Sequence, residues 1–94
     1  MIRIFAAAGI AAMVLASAVA AAAERTVTLA VDNMYCEACP YVVKESLARV
    51  PGVETVVVSY EQKSATVTYD DRKTTVDALT SATTQAGYPS RVMP

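Results

Sequence analysis

The sequence predicts an α+β fold in which two helices cover one face of a four-stranded antiparallel sheet. Three observations carry that prediction. Beyond residue 23, segments of period-two hydrophobicity alternate with segments of helical period in the order strand, helix, strand, strand, helix, strand. Both helical segments run out at a glycine, Gly52 and Gly87. The second and third strands are separated only by the polar Glu61-Gln62-Lys63, a turn length that makes them a hairpin.

Taken in order, Thr26 to Val31 alternates, with Val27, Leu29 and Val31 on one face, which reads as a half-buried strand. Asp32 to Cys39 is a loop. From Pro40 to Arg49 the apolar residues Val43, Leu47 and Val50 recur at helical spacing, and Pro40 suits the first turn because its missing N–H has no partner to lose there. Pro51-Gly52 stops that helix. Val53 to Tyr60 is a second strand with Val56, Val58 and Tyr60 expected inward, and Ser64 to Asp70 a third with Ala65, Val67 and Tyr69 inward. Thr74, with Asp77 three residues on, resembles a capping box, and Val76, Leu79, Thr83 and Ala86 form the next stripe, closed by Gly87. Tyr88-Pro89 turns the chain into a short edge strand, Ser90 to Met93. The order β-α-β-β-α-β is the ferredoxin-like sandwich.

Residues 1–23 are a different material. Arg3 is the only charge before Glu24, and Ile4 to Ala23 is an uninterrupted apolar, alanine-heavy run ending in small residues. This reads as a cleaved secretory signal; the competing reading is a membrane anchor, since the run is just long enough to span a bilayer. Residues 24–94 then form one small domain. They hold all nine acids and seven of the eight bases, a net charge of −2 that, with no basic patch, argues against nucleic acid as a partner. Export places the chain in an oxidising compartment.

The whole chain has two cysteines and no histidine. Cys36 and Cys39 stand in Asn33-Met34-Tyr35-Cys36-Glu37-Ala38-Cys39-Pro40, on a loop that leads into a helix, where free N–H groups and the helix dipole favour thiolate. Two thiolates are a soft ligand set suited to Cu(I), Zn(II) or Hg(II). A closed tetrahedral zinc site needs more ligands than one molecule supplies. The pair is therefore an open two-sulfur metal site, a thiol–disulfide redox couple, or a structural disulfide. A disulfide across so short a loop stabilises little by chain entropy, and the domain is too small for a thioredoxin-like enzyme. Met34 is read first as core, with a thioether ligand as the alternative. Asp70-Asp71 reads as a solvated pair or as a complement to the following helix N-terminus.

These residues bring the chain into resemblance with the heavy-metal-associated domains, whose first loop reads Gly-Met-x-Cys-x-x-Cys, and most of all with the periplasmic mercuric-ion carriers among them. The resemblance spans residues 24–94. It rests on Met34 to Pro40, Val43-Lys44, Leu47, Val50-Pro51-Gly52-Val53, Asp70-Asp71 and Ala86-Gly87-Tyr88-Pro89-Ser90. It implies a non-enzymatic carrier in the periplasm, acting as a monomer, in which Cys36 and Cys39 bind Hg(II) as two thiolates and pass it to an inner-membrane mercury transporter. Cu(I) is the alternative cargo and thiol–disulfide exchange the alternative activity. Met34 beneath the loop and Tyr88 near it are the expected supporting residues, Tyr88 either shielding the metal or packing on the sheet edge. The chain departs from the family at Asn33, where glycine is usual, and at Tyr35, where threonine is usual. Asparagine tolerates a left-handed backbone. Glu37 puts a negative charge between the sulfurs and is expected to raise the thiol pKa slightly.

Overall fold

The structure, a computed structural model, describes residues 23–94. The expected leader lies outside them except for Ala23, which is buried and whose carbonyl accepts the Asp71 N–H at 2.9 Å. Six elements follow: β1 (Glu24–Val31), α1 (Cys39–Ala48), β2 (Val53–Ser59), β3 (Ser64–Asp70), α2 (Val76–Gln85) and β4 (Ser90–Val92). The sheet order is β2-β3-β1-β4 with every pair antiparallel, so the two central strands are β1 and β3. This is the ferredoxin-like sandwich expected from the alternation of periods.

Strict alternation in β1 and β3 decides which face is buried. Leu29 and Val31 point with Ala65, Val67 and Tyr69 toward the helices, and Cys39, Val43, Leu47 and Leu79 descend onto them. Leu29, Val43, Ala65, Val67, Leu47 and Leu79 are fully buried. The opposite face is a threonine surface: Thr26 faces Thr68 and Thr28 faces Thr66 across the β1–β3 ladder, with hydroxyl contacts of 3.2 and 3.3 Å.

Three local expectations are corrected. Tyr60 lies at the hairpin tip, 37% exposed, and its ring carries the Lys63 ammonium 3.6 Å above its centre instead of joining the core. The cap of α2 is Thr75, not Thr74: Thr75 Oγ1 accepts from the Ala78 N–H at 3.2 Å, while Thr74 is buried. Ala86 is exposed and caps the helix C-terminus, and Gly87 takes the left-handed position after it with φ +98°. Gly52 has a stricter need. At φ +99° a Cβ there would lie 2.7 Å from Lys73 Cβ, and the Gly52 carbonyl accepts the Asp70 N–H at 2.9 Å.

At the end of the sheet where β1 begins, Asp70 accepts the Arg72 N–H (3.0 Å) and its guanidinium (3.3 and 3.4 Å), which hold its carboxyl below the usual range. Asp71 accepts Arg25 Nε at 2.8 Å. The acidic pair is thus committed to arginines, and among the described residues no group of three or more His, Cys, Asp or Glu is placed to hold a metal ion.

Candidate metal centre

The cysteine loop starts where central strand β1 ends and finishes inside α1, so both its ends are fixed by the fold. Asn33 turns the chain with φ 69°, the left-handed conformation that asparagine tolerates best after glycine. Its carbonyl accepts the Tyr35 N–H at 3.1 Å. The tight turn drives the next side chain, Met34, inward until it is 1% exposed in the same cluster as Cys39, Val43 and Leu79. Tyr35 then points to solvent, 79% exposed, so its large ring does not cover the site from inside. A second turn follows, with the Cys39 N–H donating to the Cys36 carbonyl at 3.1 Å.

The two cysteines end in unlike places. Cys36 is exposed on the loop, whereas Cys39 is 6% exposed, opens α1 and belongs to the core. Pro40 occupies the first turn as expected, and no acidic side chain sits there to oppose a thiolate. Ala38, at the N-cap, offers no side-chain acceptor, yet the first N–H groups are already used, that of Tyr41 donating to the Ala38 carbonyl at 3.1 Å, so what favours a thiolate here is the helix dipole rather than free donors. Glu37 is exposed beside Pro40, Tyr41 and Lys44 at the mouth of a shallow groove between α1 and β2.

The structure joins Cys36 to Cys39 in a disulfide with the Cα atoms 5.2 Å apart. The spacing that lets both sulfurs face one way for a metal also lets them bond to one another. Two electrons and two protons from a thiol reductant convert this form to the dithiol, the form able to ligate soft ions.

The turn after α2 closes on the loop from one side. The Asp32 N–H donates to the Pro89 carbonyl (2.8 Å), Asn33 Nδ2 donates to the Gly87 carbonyl (3.2 Å), and Arg91 Nη1 reaches both Asp32 carboxylate oxygens at 3.1 Å. Tyr88 sits in the middle of that turn, its N–H bonded to the Thr83 carbonyl (2.8 Å) and its side chain packed, half-buried, against the core. The bonds that Asp32 and Asn33 make to this turn and to Arg91 join residues more than fifty positions apart, and no periodicity or spacing in the sequence announces them.

The loop and its helix define a class. The heavy-metal-associated domain profile matches residues 28–89, and the chain belongs to that family. Among its relatives it is 54% identical, over 87% of its own length and 92% of theirs, to the mercuric transport protein periplasmic component of Shigella flexneri. The protein of the same name from Pseudomonas aeruginosa is 54% identical over 76% of this chain and 78% of that one. The fold superposes on the crystal structure of oxidized MerP from Ralstonia metallidurans CH34 with a TM-score of 0.75 at 51% identity, covering 77% of this chain and all of that one. For the mercury-bound form of MerP the TM-score is 0.68 at 53% identity, with the same coverage. A copper-binding domain of a P-type ATPase is further off in sequence, 26% identical with a TM-score of 0.72 over 74% of this chain and 95% of its own.

Proposed function

We propose that this protein is a periplasmic carrier of mercuric ion that holds Hg(II) between the thiolates of Cys36 and Cys39 and passes it by thiol exchange to a membrane transporter. One observation carries the reading. The sole two cysteines of the chain stand together at a loop–helix junction, one exposed and one buried, in a chain half identical to proteins named as mercuric transport components. Hg(II) accepts two soft sulfurs in near-linear geometry and needs no third ligand.

The geometry gives each cysteine its part. Cys36, at the surface, meets an arriving ion first. Cys39, held by the helix and the core, completes the pair, and the helix N-terminus stabilises its thiolate charge. Binding by the dithiol releases two protons, one from each sulfur. Release runs the other way: a partner thiolate adds to the ion to give a three-sulfur intermediate, and one protein thiolate then leaves. An exposed loop admits that third sulfur; a buried one does not. No acid–base partner other than Glu37 lies beside the pair in sequence, so disulfide turnover in the manner of an oxidoreductase is not expected.

The test is a titration of the reduced protein with Hg(II), counting bound ions by mass spectrometry, in competition with Cu(I). One Hg(II) per chain is expected, lost in Cys36→Ser. Stoichiometric binding that survives replacement of both cysteines overturns the reading. A preference for Cu(I) moves the protein to the copper branch, the reading favoured by its likeness to the copper-binding ATPase domain.

A further inference from the structure

We propose that Asn33 is a positioning residue for the cysteine pair: its side-chain amide latches the loop to the Gly87 carbonyl and so holds Cys36 within reach of Cys39. The proposal rests, for its consequence in metal transfer, on the carrier reading above.

Its basis is the contrast between the two cysteines. Cys39 is fixed twice, by the first turn of α1 and by its place in the core. Cys36 is exposed and has neither support; apart from its disulfide to Cys39 and the Cys39 N–H bonded to its carbonyl, it is placed by the backbone that leads to it, and in the dithiol the disulfide is gone. That backbone is set at Asn33, the one residue of the loop with positive φ. A glycine satisfies the same dihedral but brings no side-chain donor, so the turn is then tied only at its start, through Asp32. Asn33 satisfies the dihedral and adds a donor, and the acceptor it finds is the carbonyl of another left-handed residue, Gly87 at φ +98°. Gly87 is itself held, its N–H bonded to the Thr84 carbonyl at 3.0 Å. The neighbouring Asp32 N–H to Pro89 bond and the Arg91–Asp32 pair bind the same two segments. The loop is therefore tied at Asp32 and Asn33 to the turn that carries Tyr88.

The chemical consequence follows from preorganisation. Any species that bridges both sulfurs, a second sulfur bond or a metal ion, gains when the two are already held close, whereas the open dithiol gains nothing. Loosening the latch should weaken both bridged forms by the worth of one exposed hydrogen bond, roughly twofold to tenfold in an equilibrium constant.

The experiment uses Asn33→Gly, which keeps the backbone freedom and removes the donor, and Asn33→Asp, which keeps the backbone preference and replaces the donor with an acceptor. Thr75→Ala, which removes the cap of α2 far along the chain, controls for general loss of stability. The first readout needs no metal: equilibration with glutathione, in which protein disulfide and two glutathione thiols give protein dithiol and one glutathione disulfide. Both Asn33 variants should shift this equilibrium toward dithiol by at least twofold, and Thr75→Ala should not. The second is the rate at which Hg(II) leaves for a competing dithiol, expected to rise by a similar factor in both Asn33 variants. An unchanged glutathione equilibrium in both Asn33 variants, or an equal shift in Thr75→Ala, overturns the latch. A shift in that equilibrium by a protein that fails to bind Hg(II) upholds the latch and removes the carrier reading instead.

Discussion

Met34 is the residue on which core and ligand roles make opposite forecasts. It is 1% exposed and touches the cluster of Cys39, Val43 and Leu79 directly beneath the cysteine loop. Truncation to alanine leaves a cavity there, and buried Met→Ala changes cost about 2–5 kcal/mol. For a domain this small, each kcal/mol lowers the melting temperature by about 4–8 °C, so Met34→Ala should melt some 10 °C or more below the parent. Met34→Leu nearly conserves volume and should cost less than about 1.5 kcal/mol. Leucine has no thioether, so it separates packing from ligation. Thermal melts of both variants, followed by Hg(II) titration of Met34→Leu, make the assay. The core role requires Met34→Leu to bind Hg(II) within about threefold of the parent, a margin under 1 kcal/mol. A Met34→Leu protein that folds normally but binds tenfold or more weakly would show sulfur ligation by Met34 and refute the packing argument.

Three further outcomes test other parts of the structure. After reduction, Cys36 should react with an alkylating agent at least tenfold faster than Cys39, since one is exposed and the other 6% exposed; peptide mapping of singly labelled protein reads the ratio, and equal labelling would contradict the asymmetry. Gly52→Ala should destabilise by about 1–3 kcal/mol, through its positive φ and the 2.7 Å approach to Lys73 Cβ, as measured by urea unfolding. The Asp70 carboxyl is held low by the Arg72 N–H and guanidinium, so the stability it contributes is complete above the ordinary aspartate range and is lost as pH falls through and below that range. Urea midpoints against pH should therefore fall less steeply on the acid side in Asp70→Asn than in the parent, and parallel curves would rule the contribution out.

The strands and helices were legible because burial imposes a period and each period is visible. Ser64–Asp70 emerges with its expected bounds and its three inward residues, since β3 is central and its one buried face must be apolar throughout. The edge was less legible. Tyr60 continues the alternation of β2 on paper, but the hairpin has already begun to turn there, and Lys63 offers its ring a cation at the surface. At Thr74-Thr75 the capping-box spacing to Asp77 points to Thr74, but packing turns Thr74 inward and leaves the cap to its neighbour Thr75. For the cysteine loop the two sulfurs and the helix behind them were readable from residue types, and the left-handed Asn33 from the glycine that the family usually has there. Their unequal burial was not, because Met34 and Cys39 enter the core through a turn with no repeating pattern. The bonds from Asp32 and Asn33 to Pro89 and Gly87 join segments far apart in sequence, where local chemistry carries no signal.

The unequal burial of the two cysteines also sets how the site tolerates change over time. Cys36 is exposed and outside the core, so a chain that loses it should keep its fold. Cys39 fills a place in the same core cluster as Met34 and Val43, where a polar replacement must bury a hydroxyl or amide without a ready partner. Selection for folding alone therefore guards one sulfur and leaves the other unguarded. In a lineage freed from the need to carry metal, the exposed cysteine should disappear first, and the descendants should be stable proteins that still hold a solitary buried thiol at the head of the helix.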